Sequence, residues 1–144
     1  MVYRFWSDTA GGLRIVNVSD GTVCTLTMGY DNFPSWSPKG NRIVFSRLAN
    51  DDFDIFTIRP DGTGLSQLTH SPGNDSHPSW SADGEHVLFS SSRFCFKDEA
   101  PLADIPQPYG ELFIMQADGS NQRALTDNRW EEGTPAWQPA SSHR

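Results

Sequence analysis

The 144-residue sequence predicts an all-β chain of four-stranded antiparallel blades, the unit of a β-propeller, on three observations. A motif, Asn32-Phe-Pro-Ser-Trp-Ser-Pro-Lys-Gly40, recurs as Ser76-His-Pro-Ser-Trp-Ser-Ala-Asp-Gly84 and, shortened, as Gly133-Thr-Pro-Ala-Trp-Gln-Pro139. Two further markers keep step with it: Asp-Gly at Asp20, Asp61 and Asp118, and Leu-Thr at Leu26, Leu68 and Leu125. Together they define a unit of about 42 residues, with an insertion in the last full copy. Finally, the segments between markers are short runs rich in Phe, Ile, Val and Trp, punctuated by Gly and Pro, with no convincing amphipathic helix among them.

Each unit then divides into four strands. The first carries Pro-Ser-Trp-Ser and ends in a turn at Gly40 or Gly84; the second is Arg42–Ser46 or His86–Ser90. The third is Asp54–Ile58 or Leu112–Met115, and the Asp-Gly turn joins it to a fourth that ends at Leu-Thr. Upstream of the first full motif, residues 1–7, 13–18 and 22–27 match a second, third and fourth strand, so the first blade lacks its own first strand. Two complete blades follow, over 33–69 and 77–126, the latter interrupted by an insertion at 94–109. A lone first strand, 134–139, and a tail, 140–144, complete the chain.

Pro34-Ser-Trp-Ser-Pro-Lys-Gly40, Arg42-Ile-Val-Phe45, Asp54-Ile-Phe56, Asp61-Gly62 and Leu68-Thr69 together resemble the WD-like propeller repeat of TolB and its relatives, over nearly the whole chain. That resemblance implies a six-bladed ring, but not one function. Relatives of this kind serve as periplasmic adaptors, as caps on serine peptidases or as metal-dependent lyases acting on acidic sugars.

Twelve strands make three blades, whereas propellers usually have four to eight. Either the chain is part of a longer propeller, or two copies join so that 134–139 of each completes the open blade of the other. An open half would expose apolar blade faces and unpaired strand edges. The expectation is therefore a homodimeric six-bladed ring with an isologous interface.

Composition narrows the partners. Eleven Lys and Arg against eighteen Asp and Glu give a net charge of −7, with the acids dispersed. This argues against nucleic-acid binding and against docking on anionic lipid, both of which need basic clusters. No apolar run approaches a membrane span, so no membrane insertion is expected. Cys24 and Cys95 are too few for a disulfide framework. The compartment stays open: cytoplasmic for the chain as given, which shows no signal peptide, and periplasmic if a leader has been removed.

In an antiparallel blade the loops alternate sides, so the inter-blade loops share a face with the loops between second and third strands. Counting back three residues from each motif Pro gives Asp31, Asp75 and Glu132, a carboxylate at the mouth of each innermost strand. They are candidate ligands for a divalent cation, with calcium as the possible cofactor, since hard cations prefer oxygen donors. The competing reading, that each carboxylate accepts backbone N–H bonds in its own turn, weighs more, because Asp and Asn are common wherever chains reverse. Asn32 and Glu131 adjoin this ring, and Arg47 and Arg93, after the second strands, are positioned to pair with it, against the competing reading of ordinary surface ion pairs. His77 stands where the other units have Phe33 and Thr134, which sets it apart from the packing pattern.

The insertion contributes Lys97 and Tyr109 and carries Pro101, Pro106 and Pro108 among apolar anchors; it either lids the channel or covers a blade edge. Trp36, Trp80 and Trp137 recur as packing residues, while Trp6 and Trp130 fall outside the regular marks and read as exposed contacts. No nucleophile elbow, His-Glu-x-x-His, Cys-x-x-Cys or phosphate loop occurs, so no catalytic residue is assigned. The function this supports is a non-enzymatic interaction module that binds a protein or small ligand on the top face or central channel. The alternative is a metal-dependent propeller enzyme, such as a lyase acting on acidic oligosaccharides, disfavoured by the scarcity of channel histidines.

Overall fold

The computed structural model describes residues 1–94, 110–128 and 132–138. Within them the all-β expectation holds, as three antiparallel sheets. Blade 1 has three strands, β1 (Val2–Trp6), β2 (Gly11–Val16) and β3 (Val23–Thr25), in that spatial order. Blade 2 runs β4 (Asp31–Trp36), β5 (Ile43–Ala49), β6 (Asp52–Ile58) and β7 (Ser66–Gln67). Blade 3 repeats this with β8 (Asp75–Trp80), β9 (His86–Ser91), β10 (Glu111–Gln116) and β11 (Arg123–Ala124). No helix of the described residues is long and apolar enough to cross a membrane.

Each sequence marker has a physical job. In the Asp-Gly hairpins the Asp side chain accepts the backbone N–H two residues on: Asp20 from Thr22 at 2.8 Å, Asp61 from Thr63 at 2.9 Å and Asp118 from Ser120 at 2.9 Å. These bonds, joined by the hydroxyl of the same Thr or Ser, which is the larger cause at Asp118, favour the charged carboxylate and lower its pKa. The glycine that follows takes a left-handed φ, 75° at Gly21, 84° at Gly62 and 89° at Gly119, which a Cβ would penalise. In the Leu-Thr marker the Thr hydroxyl accepts the N–H of the third strand, from Leu13 to Thr27, Ile55 to Thr69 and Leu112 to Thr126. It also donates to a carboxylate: Asp31, Asp54 and Glu111 respectively.

The Trp marker sews blades together. The Trp80 indole N–H donates to the Ser35 carbonyl of the blade before it, and that of Trp137 to the Ser79 carbonyl. Two apolar layers fill the seams, with Trp80 in one and Trp36 packed against the other. Leu13, Ile43, Phe45, Phe56 and Ile58 fill the seam between blades 1 and 2. Val44, Ile55, Leu68, Trp80, Val87 and Phe89, with Phe113 and Met115, fill the seam between blades 2 and 3. Alternate residues of β5 serve opposite layers, the period-2 division of a strand buried on both faces.

The remaining segments differ from the strand arithmetic. Among the described residues the run 133–138 pairs with no strand; only Glu132 bridges to Gly110, and Trp137 holds the run against blade 3. Arg47, expected after the second strand, lies within β5 in direct register with Asp31. Most of the insertion, including Lys97 and Tyr109, lies outside the described residues, as do Trp130, Glu131 and Cys95.

Candidate functional site

The top face gathers the β1–β2 loop, the β5–β6 loop and the inter-blade loops. At its base are the carboxylates singled out by the sequence. Asp31 is 1% exposed, and Arg47 grips it through two bonds, Nε to Oδ1 at 2.7 Å and Nη2 to Oδ2 at 2.8 Å. This bidentate grip raises the Arg47 pKa further, the hydrogen bond to Asp31 outweighing the cost of burial. Asp75, fully buried, accepts one bond from Arg93 Nη2 at 2.8 Å. Its pKa is raised, because burial outweighs the help of Ser91 and Arg93. Arg93 is also tied to the Ser91 hydroxyl and the Gln122 side-chain carbonyl, and it lies 4.5 Å over the Phe113 ring.

Glu132 follows a different pattern: Oε1 accepts from Asn128 Nδ2 at 2.8 Å, and Oε2 is buried with no hydrogen-bond partner among the described residues. Asp31 thus lies in blade 2 and Asp75 in blade 3, each paired with an arginine, while Glu132 bridges to Gly110 at the edge of blade 3. No group of three or more His, Cys, Asp or Glu side chains suited to a metal occurs among the described residues.

The innermost strands share a feature that sequence periodicity does not reveal. Phe33, His77 and Thr134, each preceding the motif Pro, take φ of 51°, 52° and 49°. Left-handed backbone is unfavourable for these side chains and is stored where the surrounding structure enforces it, at a cost of roughly 1–3 kcal/mol each. In blades 2 and 3 it falls at a register shift, between Asn32 and Ser35 and between Ser76 and Ser79. Such a bulge re-aims the side chain it carries. The result is that the Phe33 and His77 rings stack with centroids 3.8 Å apart, although 44 residues separate them in sequence. Burial lowers the pKa of His77 and favours its neutral form. Asn32, beside Phe33, is itself buried.

Farther out, the same face is apolar and open. Trp6 is 57% exposed, Met28 62% and Tyr30 40%. Trp6 meets Tyr30 edge-on at 4.9 Å, and the Arg4 guanidinium lies 5.3 Å from one ring and 5.5 Å from the other. Trp6, Met28 and Tyr30, with the loop at 7–11, line a depression of about 460 Å³. Leu48 and Phe33 of blade 2 are also exposed. Trp6 stood out in the sequence because it breaks the repeat, whereas Tyr30 and Arg4 carried no signal until the loops were folded together.

Residues 5–95 match the family model of the TolB beta propeller domain. The chain belongs to that family. Among solved structures, the TolB-like fold of this chain superimposes on a putative TolB from Agrobacterium tumefaciens with a TM-score of 0.78 and 26% identity, covering 95% of this chain and 50% of that one. TolB from Acinetobacter baumannii follows at 0.62 and 19%, with 96% of this chain and 43% of the other covered. The propeller domain of the Trilobed protease from Pyrococcus furiosus, described as having an open velcro topology, gives 0.58 and 15%, with 91% and 38% covered. The chain thus spans half or less of each solved structure. No curated protein matches it significantly.

Proposed function

We propose that this TolB-like domain is a non-enzymatic interaction module whose top face receives a protein partner, and that two copies form the six-bladed ring presenting it. One observation carries the binding reading: the exposed side chains of Trp6, Met28 and Tyr30 line one depression on the top face, with the Arg4 guanidinium over the two aromatic rings. Aromatic, Met and Arg side chains are the types enriched in protein interfaces, and an open patch of them is otherwise a liability in water. The buried charges beneath support the same reading, because Arg47 and Arg93 spend their hydrogen bonds inside the blades and hold the loops in place.

Selection of peptides from a random library on the purified protein tests this. Peptides that bind should lose about tenfold or more in affinity, at least about 1.4 kcal/mol, when Trp6 and Tyr30 are both changed to Ala. They should be indifferent to Leu65→Ala, which alters an exposed apolar residue on the opposite face. Binders insensitive to Trp6 and Tyr30 would place recognition elsewhere and sink the proposal.

A further inference from the structure

Blade 2 departs from the repeat at one place. Leu13, Ile55 and Leu112 each donate their backbone N–H to the Thr of their own blade, which makes them equivalent positions. Two residues farther along each third strand stand Ile15, Thr57 and Ile114, paired across to Cys24, Ser66 and Arg123 of the outermost strand. Blades 1 and 3 thus carry Ile where blade 2 carries Thr, with Ser beside it. In blade 1, Ile15 packs against the layer that fills the seam with blade 2. In blade 2, Thr57 and Ser66 lie on the side of the sheet that carries Val44, Ile55 and Leu68 toward blade 3, and there the seam opens into a cavity of about 440 Å³. Small-molecule sites run to roughly 300–1,000 Å³.

The cavity has an apolar floor and one uncommitted cation. Leu68 and Trp80, each 7% exposed, and Ala117 form the floor. Arg42 reaches in from the residue before β5, and its backbone is fixed by Ser37, whose hydroxyl accepts the Arg42 N–H at 3.1 Å and whose own N–H donates to the Arg42 carbonyl at 2.9 Å. The half-buried guanidinium donates from Nη1 to the Thr57 hydroxyl at 3.3 Å and, among the described residues, to no carboxylate. Arg47 and Arg93, by contrast, are each closed on an aspartate. The acids at the rim of the cavity already have partners: Glu85 meets Lys39 at 3.1 Å across the groove, and Asp118 accepts from the N–H and hydroxyl of Ser120.

We propose that this cavity binds a small organic monocarboxylate bearing a short apolar group. The carboxylate meets the planar fork of Arg42, whose geometry suits bidentate pairing, and the hydroxyls of Thr57 and Ser66 supply further donors. The apolar group lies on Leu68, Trp80 and Ala117. Thr57 serves the site twice, since it is shorter than the Ile of the other blades and carries a hydroxyl where they carry a methyl. Glu85 and Asp118 at the rim oppose a second negative charge, so a monoanion is favoured over a phosphate. The site is separate from the top face. It lies among the β4–β5 and β6–β7 turns of blade 2 and the β8–β9 and β10–β11 turns of blade 3, the two blades that have all four strands.

Ligand-observed NMR titration with isovalerate and phenylacetate, each against its neutral amide, tests the site. At least one acid should bind with a Kd of about 1 mM or tighter, and its amide about tenfold more weakly or worse. Arg42→Gln should weaken the acid by about tenfold or more. Thr57→Ile, which gives blade 2 the residue that blades 1 and 3 hold, should abolish binding without lowering Tm. Arg14→Gln removes the same charge from blade 1 and should leave the affinity within about twofold. Failure of both acids to bind at about 10 mM would overturn the proposal. So would equal losses from Arg42→Gln and Arg14→Gln, which would reduce the effect to net charge, or full binding by Thr57→Ile, which would place the acid elsewhere. Inorganic phosphate binding more tightly than either acid would overturn the carboxylate assignment.

Discussion

Between blades 2 and 3, Trp80 is 7% exposed, its N–H is bonded to Ser35, and the packing around it is continuous from Val44 to Met115. Between blades 1 and 2 the equivalent Trp36 is only partly buried and packs against the layer of Leu13, Ile43, Phe45, Phe56 and Ile58. The two seams are built from the same repeat and differ in one respect: the second has a complete blade on both sides, the first lacks an innermost strand on one side. An indole that spans two blades is fully used only when the blade behind it supplies the carbonyl. The difference shows that the repeat encodes half of each joint in one unit and half in the next.

The largest expected effect sharpens this contrast. Trp80→Ala should cost about 3–5 kcal/mol in urea denaturation, the usual loss for a large aromatic in a closed layer. Trp36→Ala should cost less than that in the monomer, because its neighbours can relax toward open solvent, and more when the protein is concentrated enough to associate. Equal costs for both at all concentrations would mean that the seams do not differ.

The carboxylates offer a second contrast. Asp31 is gripped by two nitrogens of Arg47, and Asp75 by a single nitrogen of Arg93. Asp31→Ala strands a partly buried guanidinium and should destabilise by about 3 kcal/mol or more. Asp75→Asn keeps an acceptor for Arg93 and removes a charge that burial already disfavours, so it should cost less than about 1 kcal/mol. The raised carboxyl pKa fixes the sign: the ionised form of Asp75 weighs against folding, and that penalty disappears as pH falls through its folded value toward 3.8. Measured stabilities in the reverse order would show that the Arg93 pair, not burial, governs Asp75. Next in size is Thr69→Val, which leaves the buried N–H of Ile55 and a carboxylate oxygen of Asp54 without their hydroxyl and should cost about 1–3 kcal/mol by the same measurement.

How much of this the sequence disclosed depends on the range of the interaction. The Asp-Gly turns and the period of Trp36, Trp80 and Trp137 are local or strictly repeated, and the all-β blade architecture follows from them. The Asp31 and Arg47 pair lies beyond a bulge in β4, between Asn32 and Ser35, and no spacing rule says which residue of β5 meets a strand past its bulge until the register is known. Phe33 and His77 occupy the same repeat position, yet their stacking depends on a left-handed φ that the sequence does not announce before a proline. Trp6 was visible as an exception to the repeat; its partners Tyr30 and Arg4 were not, because the patch is assembled from two loops and an edge strand.

The smallest effect separates the two stacked rings. Burial holds the His77 pKa below its ordinary 6.5, so between that folded value and 6.5 the unfolded chain binds more protons than the folded one. Stability contributed by neutral His77 is therefore present above pH 6.5 and is lost as pH falls through this window. Phe33, its partner in the stack, titrates nowhere. His77→Phe should flatten the fall in Tm between pH 7 and 5.5 by a few degrees at most, while leaving the carboxylate contributions common to both proteins to cancel in the difference. If the two Tm profiles stay parallel across that range, protonation of His77 is accommodated without loss, and the ring stack is indifferent to charge.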